Sequence, residues 1–408
     1  MAMAGNDFDK LSKVQFKTPE EVAIEDETTN REFKTKDQQK LEDQKTIPNS
    51  NMPIKKKFRL KITKKRVGIG LLVIILIIFG YLIINNSNNN FTKIPQKAKT
   101  IVRSNIQKSN LVPSNLTGLM VNPSLNQLPV TAVMIENSLQ ARPQSGLEQA
   151  GVVFEAMAEG GITRFMALYQ DTAPNYVGPI RSARPYFVSW AMGFDASYAH
   201  VGGSPLALTD IQNWGINDLN QFYYGNYYTR ITSRQAPHNV YTSLANLHTL
   251  ESVLHFGPSK FSSWPRKTLG PLAHPTVTNI NFRLSNFYFN PSYTFNPKTN
   301  SYERFLAGQP EVGTDTNIQY NPKVVIGMVV PETNGPLDSS GAYYSDYSYI
   351  GSGQAYIFQN GGLTIGNWSK SSNSSQIMFT TSNGQNIALD PGQVWITVIS
   401  STADVTYN

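Results

Sequence analysis

Within about sixty residues of an otherwise charge-poor stretch lie four arginines and two histidines: Arg181, Arg184, His200, Arg230, Arg234 and His238. In Gly178-Pro179-Ile180-Arg181-Ser182-Ala183-Arg184-Pro185, two guanidiniums stand three residues apart where a loop meets an expected helix. A helix start offers unpaired N–H groups and guanidiniums keep their charge, so the junction suits a phosphate or carboxylate. His200-Val201-Gly202-Gly203-Ser204-Pro205 adds a second cradle, with Gly202 and Gly203 letting the backbone approach a ligand. The third cluster runs from Tyr228 to Asn239 and supplies Arg230, Arg234, His238 and Asn239. Converged, these side chains form one anion site, with His200 or His238 as candidate acid or base. The competing assignment is structural: Arg181 and Arg184 as salt-bridge partners, His200 as a hydrogen-bonded strand-end residue, and Ser204 as an N-cap rather than a nucleophile.

Other chemistries find little support. The chain has no cysteine, which excludes disulfides, thiol nucleophiles, iron–sulfur clusters, thiolate zinc sites and a lipobox. Its five histidines, spread from His200 to His274, show no compact ligand spacing, so no resident metal is expected. A magnesium ion brought by a phosphorylated ligand would fall to Asp195, Asp210 or Glu136. Neither a P-loop nor a dinucleotide fingerprint is present.

The net charge of +7 sits outside this region, because eight Lys and Arg lie between Lys55 and Arg66. The remainder is close to neutral, so no nucleic-acid partner is expected. Directly after that basic segment, Val67 to Ile84 forms an uncharged apolar run, long enough to cross a bilayer as a helix. The excess of Lys and Arg before it predicts a cytoplasmic N-terminus, and the sixty polar residues ahead of it favour an uncleaved anchor. Residues 1–54, polar and charged, read as a disordered cytoplasmic tail, 55–66 as a juxtamembrane segment and 85–125 as a polar stalk.

Behind the candidate residues, the pattern predicts strands at Leu128 to Ile135, Val152 to Ala158 and Arg164 to Gln170, the last two joined by a hairpin through Gly160 and Gly161. Helices are expected over Ala183 to Phe194, Pro205 to Trp214 and Ser243 to Leu254. From about Tyr288 the texture becomes short strands and turns. The fold class is therefore α+β (or α/β): a main domain over 126–270 with a mixed sheet and several helices, and a smaller, mostly antiparallel β domain over 285–402. Whether the second unit stands apart or completes the first sheet stays open.

Glu136 to Leu147 (E-N-S-x-x-A-R-P-Q-S-G-L), E-G-G-I-T-R, G-P-I-R-S-A-R, H-V-G-G-S-P and R-Q-A-P-H-N, with the later G-N-W-S-K and D-P-G-Q-V-W-I-T-V, resemble the YerB-like family of bacterial envelope lipoproteins. The resemblance spans roughly residues 125 to 402 and implies an extracytoplasmic two-part fold without naming a reaction. Here a transmembrane helix would replace the lipid anchor. The expected function is a single-pass membrane protein that binds a cell-wall glycan or lipid-linked phosphate at the arginine cleft. An envelope transferase or hydrolase acting on that ligand, and an assembly scaffold, remain the alternatives.

Overall fold

A computed structural model describes residues 110–408. The expected tail, basic segment, membrane helix at 67–84 and first part of the stalk lie outside the described residues. Among the described residues no helix is long and apolar enough to cross a membrane. The stalk expected to reach residue 125 gives way earlier to folded chain. Val112–Pro113 pairs with Met120–Val121 in a hairpin, and Leu116 inside it is 1% exposed. A single buried leucine among Asn, Pro and Ser carries no periodicity, so the composition hides it.

In chain order the first half contains β1 (Thr131–Glu136), β2 (Val152–Glu159), β3 (Ile162–Tyr169), α1 (Pro185–Met192), β4 (Ser197–His200), α2 (Pro205–Trp214), β5 (Asn217–Asn220) and α3 (Leu244–Val253). The second half contributes β6 (Asn279–Phe282), β7 (Pro291–Asn296), β8 (Ser301–Leu306), β9 (Val324–Val329), β10 (Glu332–Leu337), β11 (Tyr343–Tyr347), β12 (Gly351–Gln359), β13 (Gly362–Lys370), β14 (Met378–Thr380), β15 (Val394–Ile399) and β16 (Val405–Tyr407). One mixed sheet runs β14-β13-β12-β9-β15-β2-β3-β1-β4-β5, with the β10–β11 hairpin attached to β2. A second, antiparallel sheet of β8-β7-β6-β16 is edged by Gln309–Pro310. The second half is thus mostly antiparallel, yet β9 and β15 pair in parallel with each other, and β15 in parallel with β2 of the first half. It both builds its own small sheet and completes the large one.

Strand alternation explains the layers. Ala132 and Met134 of β1, Phe154 of β2 and Ile396 of β15 face one core with α1 and α2. Val133 and Ile135, Val153 and Trp395 face the other, filled by α3 and the second sheet. Strands buried on both faces read as continuous apolar runs, which is how they were recognisable. A charge sits inside the second core: Arg304 of β8 is paired to Glu155 of β2 at 2.9 Å and to Glu311 at 2.5 Å, and stacks over Trp395 at 4.3 Å.

Helix termini follow local chemistry. Ser204 Oγ accepts from Ala207 N (3.3 Å), Pro205 opens α2, and Gly215 closes it in the left-handed region at φ 68°. Ser243 caps α3 in the same way. Gly160 and Gly161, at φ 57° and 75°, form the two-residue turn between β2 and β3.

Candidate functional site

Through the pairings of the large sheet, β1, β2, β4, β5, β9 and β15 all run in one direction. Their carboxyl ends carry the loops that hold the sequence-selected residues. Ligands of open sheets with parallel strands settle at that end. The segment after Gly178 crosses it: Ile180 bridges Ile135, Ala183 bridges Gly203, and Arg181 N donates to Met134 O at 3.0 Å.

Two carboxylates organise the charges there. Glu159, at the end of β2, accepts from Arg164 Nη2 at 2.5 Å and from Arg184 Nε at 3.0 Å and Nη2. Arg164 Nη1 also donates to Ser182 O (2.7 Å), and the Arg184 guanidinium lies 4.8 Å from the Tyr344 ring centre. Burial alone would raise the Glu159 carboxyl, but Arg164, Arg184 and Arg181 outweigh it and hold its pKa down to about 2. Glu136, at the end of β1, is 4% exposed. His238 Nδ1 lies 2.9 Å from its Oε2, and Arg181 Nε 3.5 Å from its Oε1. Burial raises this carboxyl too; the His238 hydrogen bond and the Arg181 charge win and lower it. Glu136 also sits opposite Arg164 in the β1–β3 register, joining the two groups into one cluster.

Three guanidiniums, Arg164, Arg181 and Arg184, therefore meet two carboxylates, which leaves one positive charge uncompensated before His238 is counted. Arg164 and Arg184 are buried behind Glu159, whereas Arg181 and His238 keep 23% and 21% of their side-chain surface. Nδ1 of His238 also lies 3.2 Å from Ser138 Oγ. Serine and carboxylate share one ring nitrogen, so this is not a nucleophilic relay, which needs them on opposite nitrogens.

The remaining candidates serve as framework. His200 is fully buried, with Nδ1 2.6 Å from Gly202 O and Nε2 2.9 Å from Asp218, so it is a strut between strands rather than a group facing a ligand. Gly202, at φ 58°, accommodates Phe222, and its N–H donates to Asn220 Oδ1 (3.2 Å). Gly203 bridges Ala183, and the buried Ser204 is spent as an N-cap. Arg234 donates to the carbonyls of Gln140 (3.4 Å) and Pro143 (2.7 Å), fastening the loop after β1. Arg230 donates to Asn239 Oδ1 at 3.0 Å on a two-stranded ribbon whose other strand, through Val240 O, accepts from Ile180 N at 2.7 Å. The three carboxylates considered for magnesium do not converge, because Asp195 precedes β4 at the amino end while Glu136 lies at the carboxyl end and Asp210 is on α2. Among the described residues no group of three or more metal-ligating side chains occurs.

Sequence reasoning selected Arg181, Arg184 and His238, named Glu136 only as a magnesium ligand, and missed the parts of Glu159 and Arg164. The available signal was charge inside apolar strands: Glu136 closes T-A-V-M-I-E, and Arg164 interrupts I-T-R-F-M-A.

Residues 116–256 match the family described as "Protein of unknown function (DUF3048) N-terminal domain", and 279–396 match the DUF3048 C-terminal domain. The chain is 28% identical over 291 residues to the Bacillus subtilis (strain 168) protein titled "Putative lipoprotein YerB", across 70% of this chain and 85% of that protein. The crystal structure of YerB protein from Bacillus subtilis superposes with a TM-score of 0.65 at 26% identity, covering 73% of this chain and 99% of that one.

Proposed function

The chain belongs to the YerB-like family built from the DUF3048 N- and C-terminal domains, and from this premise we propose that it is a membrane-anchored, extracytoplasmic envelope protein that binds an anionic ligand. The lipoprotein title of its relative and the apolar run at 67–84 support the setting. The ligand class is a wall glycan or a lipid-linked phosphate. One observation carries the binding reading: the carboxyl-end cluster holds three guanidiniums against two carboxylates, with Arg181 and His238 as its partly exposed members. Arg164 and Arg184 set the geometry from behind, Arg181 meets the anion, and His238, in its protonated form with Nδ1 on Glu136, donates from Nε2 beside it. Titration of the full chain in detergent micelles with a polyprenyl phosphate tests this. Arg181→Ala should weaken binding roughly tenfold to a hundredfold, the worth of a charge-assisted hydrogen bond. Equal affinity for the variant removes the assignment.

A transferase or hydrolase acting on the same ligand is the second reading, favoured by the Glu136–His238 contact of 2.9 Å. A carboxylate on Nδ1 orients the ring so that Nε2 can exchange a proton with substrate. Turnover abolished in His238→Ala with binding retained would select it. Retained turnover would leave binding alone.

A further inference from the structure

The end of the sheet opposite the arginine cluster has a different surface. At the amino ends of β2, β9 and β15, the 112–121 hairpin packs against Arg266: Gly118 touches its side chain, and Arg266 donates to the carbonyls of Leu116 and Asp390, while Leu269 N and Leu272 N bond Asp390 and Asn360 O nearby. Gly392 N, just before β15, donates to Thr117 O at 2.9 Å, which ties the hairpin to that end. Leu119, Met120, Leu269 and Leu272 are 48%, 58%, 49% and 44% exposed there. Lys267 and Lys323 are at this end too, both within electrostatic range of the buried Asp390, with Lys323 packed on Gly392 and donating to Thr299 O at 2.5 Å. The nearby Asp171 is occupied by the Ser114 and Thr117 hydroxyls.

We propose that this amino-end face docks on an anionic lipid bilayer, holding the arginine cluster away from the membrane. The inference rests on the membrane-anchored reading above. It goes further in assigning which face meets lipid.

Tether length and charge choose the occupant. Between Ile84, the last residue of the apolar run, and Asn110 lie twenty-five residues, which contain Lys93, Lys97, Lys99, Arg103 and Lys108 and no acid. Twenty-five residues reach at most roughly 85 Å, and the folded chain they lead to begins at this end of the sheet. The arginine cluster lies a strand length beyond, about 25 Å for the eight residues of β2. Leucine and methionine side chains rimmed by lysines match a headgroup boundary, where apolar tips insert and ammonium groups meet lipid phosphates. Exposed apolar residues also occur at the cluster end, Leu206 at 59% among them, but no such tether leads to them.

The absence of cysteine permits a direct test on the full chain. Met120→Cys and Leu206→Cys variants, each carrying a bimane label, are reconstituted in vesicles of phosphatidylcholine and phosphatidylglycerol containing brominated acyl chains. Docking predicts quenching at 120 and none at 206, with the quenching lost in high salt or without phosphatidylglycerol. An unquenched label at 120 in protein retained through alkaline carbonate, or quenching at 206 instead, overturns the docked face while the anchor stands. Release by carbonate of a chain that had been quenched at 120 removes the anchor and keeps the face. Failure to float with vesicles at all removes both.

Discussion

Arg304 and Glu155 meet 2.9 Å apart with neither side chain exposed, one on the small antiparallel sheet and the other on the central strand of the large one. Glu311 and the Tyr293 hydroxyl complete the guanidinium's partners. This contact fixes how one sheet lies over the other inside an otherwise apolar core. Arg304→Ala would strand two buried carboxylates, and we expect a loss of about 3–5 kcal/mol in denaturant unfolding. Replacing all three charges with apolar residues of similar volume should recover most of it. If the single and triple variants unfold alike, the penalty is not one of unpaired charge.

Arg184 and Arg181 should separate stability from binding. Arg184 is buried against Glu159, so Arg184→Ala is expected to cost about 3 kcal/mol. Arg181 is partly exposed and 3.5 Å from its carboxylate, so Arg181→Ala should cost less than about 1 kcal/mol while weakening anion binding. Matched unfolding and titration curves on both variants check the split. The reverse ranking would refute it.

Two carboxyls oppose each other in the pH dependence of stability. Burial pushes Glu251 of α3 up to about 7 from its ordinary 4.5, outweighing hydroxyl hydrogen bonds that include one from Thr131 at 2.8 Å. Its contribution is present in full below 4.5 and is lost as pH rises through 7. Glu159, lowered to about 2, behaves oppositely: its contribution is present above 4.5 and is lost as pH falls toward 2. Melting temperatures of Glu251→Gln and the parent should diverge in favour of the variant as pH rises from 4.5 to about 7, and differ by a constant amount above it. A difference constant across that range as well would show that the Glu251 pKa is not raised in the folded protein.

Gly202 combines two constraints. Its φ is 58°, and a Cβ there would lie 2.9 Å from the Phe222 ring. Gly202→Ala should destabilise by about 1–2 kcal/mol, and Phe222→Ala in the same chain should return the steric part but not the backbone part. Complete rescue would mean that the backbone conformation costs nothing.

Local signals carried the helices and the β2–β3 hairpin. Ser204, Pro205 and Gly215 bracket α2 where the termini fall, because capping depends on neighbours in sequence. β4 and β5, four residues each, were not recognisable as strands, since S-Y-A-H and N-D-L-N are too short to display a period. In the site, arginines stood out by type, but their roles depend on pairings between distant residues. Glu136 meets Arg164 through strand register and His238 across more than a hundred positions of chain, and no spacing rule reaches that far. His200 looked like Arg181 in sequence, and only burial tells strut from ligand group.

The position of β15 has a consequence for biogenesis. This strand, among the last to be synthesised, lies between β2 and β9, near the middle of the large sheet. Until residue 399 has emerged, both neighbours present bare hydrogen-bonding edges, and a chain stopped short of it displays two sticky surfaces rather than one finished half. Folding of this domain is therefore completed only once its last strands are made, and prematurely terminated chains should be markedly protease-sensitive.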